Sequence, residues 1–442
     1  MPSGIAADSA SRDCFDNIPL QPNFVLTISG CNLILSTMKK RILYENIWRM
    51  LSAHKQMVFI AGPRQAGKTT FTQMLTEDFN NSLYFNWDIL DEKRKLIENP
   101  FFYEQVHRKD NSMPLIIFDE LHKYSNWKNY LKSVYDRDKG KYKFIVSGSG
   151  RLDMYQKGGD SLAGRYFIFY LWPFTLAELA GNNLSFEQFL SNPIEVRACP
   201  NKTQPVWNRL SQFSGFPDPY LNKTGQFYQI WSNTYRKQLL REDIRDFTLL
   251  RSIENMEILF SLLPSRIGSP LSMAGLARDI HVSFDSVRNW IEIFENFFMV
   301  FRIPPWSQKI SRAITKEKKL YLFDYAGIES QAAKFENMVA LELFRAISNW
   351  NDLGLGNFSL HYLRNREKEE VDFLLSNNHK PFLLIEAKLS DDHAAKSLIK
   401  FQKILNIQAV QLVNKSGICK LVSNNNLKTM IISANHWLSL LP

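Results

Sequence analysis

The sequence predicts an α/β protein built on a parallel sheet, and three observations carry that expectation. Short apolar runs alternate with amphipathic helical patterns between residues 56 and 172. A glycine-rich loop joins the first run to the first helix, and a later run ends in two carboxylates. Runs that are apolar throughout, rather than alternating, suit strands covered on both faces. The chain has 442 residues, room for about three domains of roughly 150 residues. Apolar residues at 45% and charged residues at 22% exclude wholesale disorder, collagen and coiled coil. A net charge of +10, spread thinly along the chain, permits a polyanionic partner without requiring one.

Four scattered cysteines, Cys14, Cys31, Cys199 and Cys419, form neither a disulfide framework nor a metal-binding spacing. No apolar run approaches the roughly 18 residues of a membrane span. The expectation is a cytoplasmic protein with no membrane partner.

In order along the chain, residues 1–37 are small, polar and weakly acidic, and read either as a disordered leader or as the result of a misplaced start codon ahead of Met38. Ile42, Ile47, Trp48 and Leu51 then share a helix face. Strands are expected at 57–61, 83–85, 115–118, 144–146 and 166–171, within a core of residues 38–180. Residues 181–265 look mainly helical, with a proline-rich interruption at 193–219, and would form a lid or linker.

The loop GPRQAGKTT at 62–70 fits G-x-x-x-x-G-K-[ST] through Gly62, Gly67, Lys68 and Thr69. Glycines let backbone N–H groups wrap a phosphate, and the following helix N-terminus adds positive potential. Gly62, Pro63, Arg64, Gln65, Ala66, Gly67, Lys68, Thr69 and Thr70 are therefore the expected nucleotide-binding positions. Lys68 would reach the β/γ-phosphates of ATP and Thr69 would ligate Mg²⁺. The run LIIFDE at 115–120 would bring Asp119 to the metal and Glu120 to the attacking water. Ser147 or Ser149 either hold a phosphate or water, or simply form a turn. Arg64 either touches phosphate or is solvated. Arg241 and Arg245 among Glu242, Asp243 and Asp246 read as a salt-bridged helix face.

Leu271, Leu276, Ala277 and Ile280, then Val287, Trp290, Ile291 and Phe294, form two helical stripes around a turn at 281–283. With a strand at 298–303 this fits a winged-helix-like module over 266–305. The second helix carries Arg288 against Asp285, Glu292 and Glu295, so a DNA groove would repel it. The run Lys309, Arg312, Lys316, Lys318 and Lys319 is basic, and reads as a solvated loop or a phosphate-gripping wing.

Residues 370–388 read as a hairpin turning at 376–380, with Val371, Phe373 and Leu375 on one face and Asp372 on the other. Asp372 with Glu386-x-Lys388 is the D…ExK pattern of restriction-endonuclease-like proteins, and Glu336 supplies a further acid. Two carboxylates can hold Mg²⁺ against a phosphodiester while the lysine activates water. Glu336, Asp372, Glu386 and Lys388 are thus a candidate nuclease site with DNA or RNA as partner. The same fold also serves as a binding scaffold.

Through GPRQAGKTT, IIFDELHK (116–123), VSGSGRLDMYQKGGDSLAGRYF (146–167), YLWPFTLAEL (170–179), LLREDIRDFT (239–248), KKLYLFDYAG (318–327), FENMVALEL (335–343), EVDFLL (370–375) and IEAK (385–388), the chain resembles a known family. These are the prokaryotic AAA-type P-loop ATPases that carry a C-terminal domain of unknown function. The resemblance runs from about residue 38 to the end. It implies ATP binding, slow hydrolysis, and a nuclease-like fold for residues 306–442. It also points at Arg165 as a catalytic arginine near the γ-phosphate, from the same chain or an oligomeric neighbour. The alternative for Arg165 is a carboxylate pair at the sheet edge. The expected fold class is therefore a P-loop NTPase parallel sheet with a helical lid, a winged-helix-like module and an α+β restriction-endonuclease-like domain.

Overall fold

A computed structural model describes residues 41–149, 162–181, 184–200, 202–247, 252–307, 317–424 and 427–442. The expected leader at 1–37 and the bases Lys309, Arg312 and Lys316 lie outside the described residues.

Five strands form the first sheet: β1 Met57–Ala61, β2 Ser82–Asn86, β3 Leu115–Asp119, β4 Lys143–Ser147 and β5 Tyr166–Tyr170. Every neighbouring pair is parallel, in the order β2-β3-β4-β1-β5. Met57, Phe59, Ile116, Phe118 and Val146 face one apolar cluster, while Val58, Ile60, Ile117 and Ile145 face another. Burial on both sides explains why these runs are continuously apolar. The helix Ile42–Leu51 packs Tyr44, Ile47, Trp48 and Leu51 onto the second cluster. Ile42, expected on that face, is instead 63% exposed.

Strand β4 lies between β1 and β3 although it follows both in sequence. The chain leaves β1 toward one edge of the sheet and later returns to β5 on the other side. A crevice at the carboxyl ends of the strands is the usual result of such a reversal. Helices Thr203–Phe213, Pro217–Asn222 and Gly225–Gln238 follow, the last running into a wide π turn at Leu239–Asp243.

Helices Met273–Asp279 and Phe284–Asn296 are each N-capped by a serine, Ser272 and Ser283, whose hydroxyls accept from the backbone N–H three residues on. The stripe Val287, Trp290, Ile291 and Phe294 is buried as expected. Strands β6 Val300–Ile303 and β7 Lys319–Leu322 then pair antiparallel.

The long helix Gln331–Asp352 packs on a six-stranded sheet formed by β8 Phe358–Arg364, β9 Glu370–Asn377, β10 Lys380–Lys388, β11 Gln408–Val413, β12 Cys419–Asn424 and β13 Leu427–Ser433. Their order is β12-β13-β11-β10-β9-β8. Asn378 and His379, both left-handed at φ 50 and 62, make the tight turn between β9 and β10. The expected alternation fails at one place. Phe373 and Leu375 face the helix side, whereas Val371 packs with Leu374 and Leu384 on the other. The paired register of β9 and β10 ends at Phe373–Ile385, so the strand turns over beside Asp372.

One apolar cluster continues from Trp172 to Leu441, joining the helical region, the ribbon β6–β7 and the C-terminal sheet. Among the described residues, no helix is long and apolar enough to cross a membrane.

Candidate functional site

The glycine-rich loop begins where β1 ends. Gly62 sits at φ 142, and a Cβ there would lie 2.3 Å from the Leu171 carbonyl oxygen. Only glycine fits that approach. Gly67, at φ 93, caps the helix Lys68–Thr76. Lys68 is 5% exposed and folds back over the loop, donating to the carbonyls of Gly62 at 3.0 Å and Pro63 at 2.7 Å. Burial pushes its ammonium down to about 8, against the pull of Glu120 and Asp119.

Asp119 closes β3 as a fully buried carboxylate. It accepts from Thr69 Oγ1 at 2.7 Å, Tyr84 OH at 2.6 Å and Ser147 Oγ at 2.5 Å. The Thr69 hydroxyl and the Asp119 carboxylate are hard oxygen donors, a pair that fits Mg²⁺. Glu120 follows in a left-handed conformation at φ 54. It accepts from the Ser149 N–H at 3.2 Å and hydroxyl at 3.1 Å, and pairs with Lys123 at 3.2 Å. Burial raises the Glu120 carboxyl, but the charges of His122, Lys68 and Lys123 outweigh it and hold the group below its ordinary range. Lys68, Thr69, Asp119 and Glu120 thus meet at one edge of the sheet. Both serines serve the two acids rather than forming a bare turn.

Arg165 is elsewhere. Its backbone carbonyl bonds the N–H of Met57, at the start of β1, while the loop follows the end of β1. Five residues of strand, about 16 Å, separate those edges. The guanidinium pairs with Asp136 at 2.9 Å. The expectation that Arg165 reaches a γ-phosphate of its own chain is corrected on that ground, and the sheet-edge pair is what forms.

The helical region meets the loop directly, which the sequence did not signal. Arg64 Nη1 lies 2.5 Å from Asp243 Oδ1, and Trp231 Nε1 donates to Gln65 Oε1 at 2.6 Å. The expected salt-bridged face of Arg241 and Arg245 among Glu242, Asp243 and Asp246 is corrected at two positions: Arg241 bonds Glu257 at 2.6 Å, and Asp243 reaches across to the loop. Arg41 was also missed. It is buried beneath the loop, paired with Glu178 and donating to the carbonyls of Ala66 at 3.2 Å and Trp172 at 2.8 Å.

A second cluster forms where β9 and β10 part. There the carboxylates replace the missing ladder partners. Asp372 Oδ2 accepts from the Ala387 N–H at 3.0 Å, and Glu386 Oε2 accepts from the Asp372 N–H at 3.3 Å. Lys388 pairs with Glu386 at 2.6 Å. Lys319, read from sequence as part of a solvated basic run, is instead 0% exposed. Its ammonium lies 3.0 Å from Glu336, 2.5 Å from Glu370 and 3.3 Å from Asp372. All four expected residues are brought together, with Lys319 and Glu370 added. Burial raises the Glu336 and Glu386 carboxyls, and the Asp372 charge raises them further.

Residues 54–180 match the family model of an AAA domain. That places the AAA-type domain over the loop, β1 to β5 and the two acids, in a P-loop NTPase fold. Residues 206–337 match a domain of unknown function (DUF8612), and residues 332–436 match another (DUF4143). Uncharacterized proteins of Mycobacterium bovis and Mycobacterium tuberculosis are each 22% identical over 334 residues, spanning 74% of this chain and 69% of their own. Among solved structures, AMPPCP-bound DnaA from Aquifex aeolicus is 14% identical at a TM-score of 0.31, covering 59% of this chain and 90% of DnaA. C. elegans PCH-2 is 11% identical at 0.24, covering 47% and 62%. Overlap that loose fixes neither ligand nor partner.

Proposed function

We propose that the chain is a Mg²⁺-dependent ATPase whose nucleotide state switches a C-terminal domain of restriction-endonuclease-like architecture. The observation that carries this reading is the convergence of Lys68, Thr69, Asp119 and Glu120 at the carboxyl edge of the AAA-type sheet. Lys68 exchanges the Gly62 and Pro63 carbonyls for the β/γ-phosphates. Thr69 and Asp119 hold the metal, which when bound offsets charge on the phosphate oxygens. Glu120, kept ionised and oriented by Ser149, aligns the attacking water. Arg165 can take part only from a neighbouring copy. The winged-helix-like pair of helices serves as packing, because its outward charges are Asp285, Arg288 and Glu292 and Arg288 is already tied to Asp285 at 3.0 Å.

A continuous route supports the switch. The segment after β5 lies between the loop and the long helix. Leu171 backs Gly62, and Arg41 ties Ala66 to Trp172. On its other side, the Tyr170 N–H donates to Asp352 at 3.1 Å, Arg345 donates to the Phe174 carbonyl at 2.8 Å, and Glu342 accepts from the Leu176 N–H at 3.3 Å. The same helix carries Glu336 into the second cluster.

Lys68 makes the binding pH-dependent. Phosphates select the charged ammonium, and in the empty loop that charge is lost as pH rises through about 8. ATP affinity should therefore hold steady below that point and weaken about tenfold between pH 7 and pH 9. Calorimetric titrations at the two pH values check this, and equal affinities would count against the assignment.

The second cluster favours a domain that binds a partner without cutting nucleic acid, because its acids are already paired with lysines. The test is Mg²⁺-dependent cleavage of single- and double-stranded DNA and RNA, with and without ATP, by wild type and Asp372→Ala. No cleavage of any substrate is expected. Wild-type cleavage that Asp372→Ala abolishes would replace the switch with an ATP-driven nuclease.

A further inference from the structure

The geometry points to Lys319 as a built-in cation: we infer that its ammonium occupies the place a divalent ion would take among Glu336, Glu370 and Asp372, so the native chain holds no metal there. The inference deepens the restriction-endonuclease-like reading of the C-terminal domain and is independent of the nucleotide site.

Four observations converge on it. First, three carboxylates from two elements, one on the long helix and two on β9, aim at a single nitrogen. An ammonium has three protons to donate, so three carboxylate oxygens satisfy it. Second, the nitrogen cannot leave at low cost. Lys319 is 0% exposed, and its backbone is held on both sides, by Ile303 of β6 and by a bridge to Pro270. Third, the acids cannot turn away. The Tyr321 hydroxyl donates at 2.8 Å to the same Glu336 oxygen that Lys319 holds, and the Gly268 backbone packs so closely that a Cβ there would sit 2.6 Å from Glu336 Oε2. Arg364 also flanks Glu370 at 3.6 Å.

Fourth, the neighbouring acid is spoken for as well. Glu386 is bound by Lys388 and by the Asp372 N–H. The acids stand 3.0, 2.5 and 3.3 Å from the ammonium, so a divalent ion, which needs oxygens at about 2.0–2.6 Å, would have to draw the same oxygens inward. Two cations packed that closely in a buried site repel strongly. The cluster therefore gathers three acids at hydrogen-bonding distance around a lysine, and only with that charge gone could they close on a metal. Removing the lysine's charge should open the site to a divalent ion.

Mn²⁺ binding to the full-length, nucleotide-free chain, followed by the loss of the free-ion EPR signal, reads this out. Wild type should bind no Mn²⁺ that depends on Asp372, so Asp372→Asn should leave the titration unchanged. Lys319→Met should gain one saturable site, and Lys319→Met/Asp372→Asn should lose it. A wild-type site removed by Asp372→Asn would overturn the inference. So would a folded Lys319→Met chain that binds no more Mn²⁺ than wild type. If Lys319→Met does not fold, the comparison of wild type with Asp372→Asn decides alone. Asp372-dependent Mn²⁺ binding by wild type without nucleic-acid cleavage would sink the Lys319 assignment and leave the switch standing, whereas cleavage that depends on metal and on Asp372 would sink both.

Discussion

Gly62→Ala should cost about 3–5 kcal/mol of stability and abolish ATP binding in whatever remains folded. Two separate penalties add at this position. At φ 142 the backbone occupies a region that only glycine adopts freely. The new methyl would also stand 2.3 Å from the Leu171 carbonyl oxygen, a backbone atom that cannot swing aside like a side chain. Relief requires β1 and the segment after β5 to part, and that segment is pinned by Tyr44, Arg41 and the long helix. Gly140 provides the control. It too has a positive φ, 82, but a Cβ there meets nothing within 4 Å. Gly140→Ala should cost only about 1 kcal/mol. Chemical denaturation of both variants, with ATP titrations on the folded material, separates strain alone from strain plus collision. Equal losses for the two would contradict the close-approach account.

Lys68→Ala is the second large effect. In the empty loop Lys68 satisfies two carbonyls of Gly62 and Pro63. With nucleotide present it supplies charge-assisted hydrogen bonds to phosphate, each worth roughly 1.5–3 kcal/mol when removed. Losing about 2.7 kcal/mol corresponds to a hundredfold loss in affinity. The fold should survive, because the carbonyls left behind line an edge that water can reach once the side chain is gone.

What could be read from the sequence divides along physical lines. The three central strands were legible because burial on both faces writes an unbroken apolar run, a local signal. The loop was legible because G-x-x-x-x-G-K-[ST] is a pattern of fixed spacing, and Asp119 and Glu120 because they end an apolar strand. The contact of the loop with the helical region was not: Arg64 and Asp243 are 179 residues apart, Arg64 reads as a phosphate contact or a solvated residue, and Asp243 has nearer opposite charges that suggest a local pairing. Lys319 was hidden for a similar reason. Its neighbours are basic and mark a solvated loop, while the acids that bury it come from positions 336, 370 and 372.

Arg165 teaches a different lesson. Once β1 and β5 are parallel, a residue just before β5 must lie at the edge opposite to the loop that follows β1. The topology alone excludes contact within one chain, and a motif resemblance does not carry that information.

The central claim is that ATP binds at the carboxyl edge of the first sheet with Lys68 on its phosphates. Isothermal titration of ATP and Mg²⁺ into wild type and Lys68→Ala, both confirmed folded, tests it most directly. Saturable one-site binding to wild type, weakened about a hundredfold or lost in the variant, is the predicted result. Unchanged ATP affinity in Lys68→Ala would contradict it.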